Sequence, residues 1–149
     1  MTSICVFGGA RSGTKPKYKA SASALEHGAE VVGIIPEFLA SEDVLHQGLT
    51  KTIVVEDLFR RKAEMIALSD AYIALPGGIG TLDELLEVVA LGQLDQIHTP
   101  IGVLDAAGYF EPWLMALRHS VTQGFVNADD VDRIMRSAEP DELLDLMGL

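Results

Sequence analysis

The chain has 149 residues, 48% of them hydrophobic, which is enough for one compact core over residues 1–149 and too few for two ordinary domains. Its 22 acidic residues against 11 basic give a formal charge of -11, which leaves no basic stripe for a phosphate backbone and speaks against nucleic acid as the main partner. The single cysteine, Cys5, excludes an internal disulfide and a cysteine-rich zinc site, and no apolar stretch approaches the roughly 20 residues of a membrane span, so a cytoplasmic protein is expected.

In chain order, near-continuous apolar runs at residues 4–7, 31–35, 52–55, 71–75 and 101–104 read as strands covered on both faces. Helical spacing fills the intervals at 18–27, 57–69, 81–94 and 112–123. It returns twice in the tail, at 128–136 and 139–147, where Pro140 and Gly148 mark the ends of the last helix. Alternation of strand and helix predicts an α/β protein with a parallel sheet and helices on both faces. Ligands gather at the carboxyl ends of such strands, where loops meet helix N-termini.

Two glycine-rich turns occupy that position. The first, Gly8-Gly9-Ala10-Arg11-Ser12-Gly13, follows the opening strand and is not a Walker loop, because Thr14-Lys15 stands where glycine, lysine and a hydroxyl are needed in another order. It reads equally well as a ligand cradle and as a tight turn with no ligand. The second, Pro76-Gly77-Gly78-Ile79-Gly80-Thr81, runs from a strand into a helix whose first N–H groups, with the Thr81 hydroxyl, make an anion site suited to phosphate. Gly77, Gly78, Gly80 and Thr81 are thus candidate binding residues, with Gly8 and Gly9.

At 100° per residue, Leu82, Leu85, Leu86 and Val89 are expected to pack on the sheet. Glu84 then shares the opposite surface with Glu87, Val88 and Leu91, an apolar face that something else must cover. The plainer account of Asp83, Glu84 and Glu87 is that acids favour a helix N-terminus. Arg60-Arg61-Lys62 is either a solvated run or an anion clamp. His27, His46, His98 and His119 have no metal-ligand spacing, so no metal site is expected.

The string from Pro76 to Glu84, preceded by Arg61-Lys62-Ala63-Glu64-Met65, resembles the paired PGGxGTxxE and RKxxM motifs of the Lonely Guy (LOG) family. The likeness extends through Gly33-Ile34-Ile35-Pro36-Glu37-Phe38-Leu39, His46 with Gly48-Leu49-Thr50, Gln93-Leu94, and Gly108-Tyr109-Phe110 to Gly124-Phe125. It implies a Rossmann-like fold and hydrolysis of the N-glycosidic bond of a cytokinin nucleoside 5′-monophosphate to free base and ribose 5-phosphate. No metal or organic cofactor is implied. Carried onto this chain, it makes Arg61 and Glu84 the catalytic pair and residues 77–81 the phosphate loop, with Lys62 beside them. AMP or isopentenyladenosine monophosphate would be the substrate, and a homodimer the working form. The family's older label of lysine decarboxylase finds no support: pyridoxal chemistry needs a Schiff-base lysine, and none of Lys15, Lys17, Lys19, Lys51 and Lys62 stands in a recognisable cofactor motif.

The chain departs from the family pattern at two places. Gly8 stands where relatives usually carry cysteine. Between Tyr18 and Leu25, on the order of thirty residues are missing, about one strand, one nucleotide-binding turn and a helix's worth. A true deletion predicts a continuous helix over 18–25, with the 31–35 strand moved beside the first strand. A segment lost from the sequence instead predicts neighbours farther apart than the roughly 3.8 Å of one trans peptide, and it is favoured because losing a central strand would bare strand edges. The competing function is a non-catalytic nucleotide or molybdenum-cofactor carrier of the same superfamily, which has no use for a carboxylate beside a ribose. A third is a relative that keeps the dimer and has lost turnover through the deletion.

Overall fold

A computed structural model describes residues 2–8, 30–40 and 49–149. They fall into two compact units, residues 2–8 with 69–149 and residues 30–40 with 49–68.

The larger unit is a four-stranded parallel sheet built from β1 (Ile4–Phe7), β4 (Ala71–Ala74), β5 (Ile101–Leu104) and β6 (Ile134–Ser137), in that spatial order. The middle strands β4 and β5 are buried at every position, as their unbroken apolar sequences require. Helix α2 (Ile79–Gln93) returns the chain from β4 to β5. Helices α3 (Glu111–Thr122) and α4 (Ala128–Asp132) return it from β5 to β6, and α5 (Pro140–Met147) follows β6. The architecture is α/β and Rossmann-like, as the strand–helix alternation predicts.

Helix α5 packs Leu143 and Met147 against Ala71, Ile73 and Leu104. That close approach depends on Gly102: a Cβ there would stand 2.6 Å from Met147 Sδ and 3.1 Å from Leu143 Cδ1. Gly102→Val should therefore lower stability by about 1–3 kcal/mol through overpacking, seen as a reduced urea midpoint at unchanged slope.

The smaller unit pairs β2 (Val32–Pro36) with β3 (Lys51–Val55) in parallel, from Val32 opposite Lys51 to Pro36 opposite Val55. Helix α1 (Leu58–Ala67) starts at Asp57, whose carboxylate accepts the Arg60 N–H at 2.7 Å and satisfies one of the helix's orphan donors.

Two expectations need correction. The helix expected over 128–136 stops at Asp132, and residues 134–137 form β6, paired with β5 from Ile101–Ile134 to Leu104–Ser137. Ladder hydrogen bonds available only in the folded sheet override the local helical pattern there. On α2, the inner face is Thr81, Glu84, Leu85, Val88 and Gly92, whereas Leu86 is 43% exposed. Val88 is 0% exposed within this one chain, so that face calls for no second copy to cover it. The larger sheet pairs β1 with β4, and the smaller pairs β2 with β3. The helices expected at 18–27 and 18–25, the spacing across the Tyr18–Leu25 interval, Gly9 and His46 lie outside the described residues.

Candidate functional site

Strands β1 and β4 lie side by side with Phe7 opposite Ala74, so both chains leave the sheet at the same carboxyl edge. The Leu75 N–H donates to the Phe7 carbonyl at 2.8 Å, and a Cβ on Gly8 would lie 3.9 Å from Leu75 Cβ. Gly8 and the second glycine turn are therefore neighbours, although almost the whole first half of the sequence separates them.

Gly78 is the N-cap of α2, in an extended conformation, and no side chain caps the helix. A Cβ on Gly78 or Gly80 would meet no described atom within 4 Å, and neither glycine has positive φ. The backbone itself thus makes no demand for glycine at these positions. Their bareness leaves open space against a helix N-terminus, where amide donors and the helix dipole favour an anion.

Thr81, in the first turn of α2, is 3% exposed, and Glu84, one turn further on, is 7% exposed. Positions i and i+3 share a helix face, so hydroxyl and carboxylate are carried on the same side behind the turn. The first turn of α2 contains no acid. Glu84 therefore lies too far along the helix, and too deep, to be explained as an N-terminal solubilising charge; acids are seldom buried without a partner or a task. Asp83, beside it, is exposed.

Arg61 and Lys62 belong to the smaller unit. Arg61 is half-buried, and its Nε–H donates to the Ile34 carbonyl of β2 at 3.2 Å, which fixes the plane of the guanidinium fork. Arg60 is exposed. Lys62 lies with its ammonium 6.0 Å from the centre of the Phe59 ring. The three adjacent cations thus have three different environments, unlike a uniformly solvated run.

One contact at the turn was not read from the sequence as a site feature: the Tyr109 hydroxyl donates to the Gly77 carbonyl. Behind it stands Asp105, 4% exposed, at the end of β5. Its Oδ1 accepts the Phe110 N–H at 2.6 Å and its Oδ2 accepts Arg136 Nε–H at 2.6 Å, while Arg136 also pairs with Glu111. Burial works against the Arg136 charge, but Glu111 and Asp105 outweigh it and hold the guanidinium pKa above its ordinary value. An aspartate directly after a buried strand, followed by Gly108, was the available signal.

A parallel α/β sheet whose strands are joined by helices, with a glycine-lined helix N-terminus at its carboxyl edge, defines the class of Rossmann-like proteins. Residues 18–147 match the family model described as "Possible lysine decarboxylase". A cytokinin riboside 5′-monophosphate phosphoribohydrolase of Rhodococcoides fascians is 40% identical over 131 residues, covering 87% of this chain and 65% of that protein. Another of that name from Arabidopsis thaliana is 34% identical over 97% of this chain and 81% of its own length. A protein of Oryza sativa subsp. japonica, described as a probable enzyme of the same name, is 38% identical over 84% of this chain and 59% of its own length. The chain thus spans less than two thirds of the rice protein. It belongs to the LOG family, the group described as possible lysine decarboxylases. The Arabidopsis alignment is 174 residues long, longer than the 149-residue chain, so at least 25 residues of that relative have no counterpart here. A gap of that size agrees with the shortfall read from the motif spacing.

Proposed function

We propose that this chain hydrolyses the N-glycosidic bond of a nucleoside 5′-monophosphate, of the AMP or isopentenyladenosine monophosphate type, to free base and ribose 5-phosphate. The observation that carries the reading is the burial of the Glu84 carboxylate on the same face as Thr81, directly behind a glycine turn shaped for an anion. Gly77, Gly78, Gly80 and Thr81 receive the phosphate, assisted by Gly8, beside that turn, and by Gly9, which follows Gly8 in the sequence. Cleavage leaves positive charge on the ribose ring, and Glu84 stabilises that charge or orients the water that attacks C1′. The electron pair of the broken bond leaves with the base, which takes up a proton. Arg61, assisted by Lys62, holds phosphate or ribose oxygens. A buried carboxylate beside the ribose is superfluous to a nucleotide or molybdenum-cofactor carrier, which makes hydrolysis the better reading.

The names of the relatives support the cytokinin class of substrate. A homodimer acting in the cytoplasm completes the proposal, the dimer on the family resemblance and the compartment on the single, buried Cys5. No described helix is long and apolar enough to cross a membrane.

The phosphate turn makes a quantitative demand. Two or more charge-assisted hydrogen bonds to phosphate correspond to a preference of at least about 10²-fold in kcat/KM for AMP over adenosine. Release of ribose 5-phosphate and adenine from AMP, beside ribose from adenosine, measures the ratio. Equal specificity constants would remove the phosphate argument, and no cleavage of either AMP or isopentenyladenosine monophosphate would favour a carrier.

A further inference from the structure

Among the described residues, the turn between β4 and α2 has few side-chain holds. Gly77 and Gly78 have no side chains, and no side chain caps α2. One side chain that reaches the turn is that of Tyr109, 32 residues along the chain, whose hydroxyl donates to the Gly77 carbonyl. Because the peptide unit is planar and trans, the Gly77 C=O and the Gly78 N–H point in opposite directions from one plane. Fixing the carbonyl on Tyr109 therefore fixes the direction of the Gly78 N–H. Among the described residues no backbone carbonyl accepts from that N–H.

The arm that carries Tyr109 is itself rigid. Ala107 and Gly108 both have positive φ, 58° and 72°, a left-handed pair that turns the chain sharply after β5. For Ala107 this conformation costs on the order of 1 kcal/mol or more and persists only where the surroundings impose it. They do so through Asp105, whose carboxylate holds the Phe110 N–H on one oxygen and Arg136 on the other, while the Gly108 N–H donates to the Asp105 carbonyl at 3.1 Å. Phe110 is fully buried and packs edge-on against the Tyr109 ring, with centroids 5.1 Å apart. The ring is thus fastened at both of its neighbours in sequence.

We propose that Tyr109 is a positioning residue for the glycine turn: by pinning the Gly77 carbonyl it aims the Gly78 N–H at the bound anion and so sets the affinity for the phosphorylated end of the ligand. The identity of that ligand rests on the phosphoribohydrolase reading; the pinning of the turn does not.

Tyr109→Phe removes the hydroxyl and keeps the buried ring contact, so the variant should fold. In the full chain, nitrogen-15 relaxation should show the amide order parameters of Gly77 and Gly78 falling from about 0.85 to below about 0.6, with β4 and β5 unchanged. KM for AMP should rise about five- to tenfold, with kcat within about twofold, the size expected for one hydrogen bond. Turnover of adenosine, which has no phosphate to place, should not change. Unchanged order parameters at the turn overturn the proposal, and so does an unchanged KM for AMP in an active enzyme. A wild-type chain that cleaves no nucleoside monophosphate, beside a Tyr109→Phe chain with a loosened turn, sinks the phosphoribohydrolase reading and leaves the role of Tyr109 standing.

Discussion

Glu84→Gln should yield a folded protein that binds a nucleoside monophosphate and does not hydrolyse it. The amide matches the carboxylate in shape, so it fits the same buried position on α2, where Glu84 is 7% exposed. It lacks the negative charge that would stabilise an oxocarbenium-like ribose, and in a water-poor site such a charge is worth far more than in bulk solvent. We expect kcat to fall at least about 10³-fold, with the dissociation constant for AMP within a few-fold of wild type. Single-turnover assay of base release and calorimetric titration with AMP separate the two quantities. Turnover near the wild-type rate would remove Glu84 from the chemistry.

Arg61→Ala should lower kcat/KM for AMP by about 10²-fold, whereas Arg60→Ala should change it less than about twofold. The two residues are adjacent and chemically identical, so the contrast isolates position from charge. Arg61 is half-buried and has its Nε–H on the Ile34 carbonyl, while Arg60 is exposed. Arg61→Lys should restore little, because one ammonium cannot reproduce a planar fork anchored at Ile34 and bidentate to an oxyanion. Parallel steady-state assays of the three variants decide the matter. Equal losses for Arg60 and Arg61 would show a charged patch and no specific clamp.

Much of this was already legible along the chain. Uninterrupted apolar runs at residues 71–75 and 101–104 could only be strands buried on both faces, and the structure places β4 and β5 there, buried throughout. The glycine turn into a helix pointed to an anion site because the first N–H groups of the helix and the Thr81 hydroxyl can face one; Gly78 and Gly80 border open space. The paired motifs led to the family without any fold at all.

Other features exist only once distant segments meet. Residues 134–137 resemble helix in isolation and become a strand because β5 offers them a complete ladder. The inward side of α2 cannot be chosen by counting leucines: Leu85 is buried beside Thr81, Glu84 and Val88, while Leu86 is exposed. Gly8 joins the second turn because parallel pairing brings Phe7 beside Ala74. Tyr109 reaches Gly77 through a left-handed turn stabilised by Asp105 and Arg136, residues from two different strand ends. Composition, periodicity and motif spacing are local properties, and they determined the α/β class of this protein and singled out the glycine turn and the candidate residues. Which face is buried, and which side chain holds which carbonyl, depend on contacts between residues far apart in sequence, and those the tertiary structure alone decided.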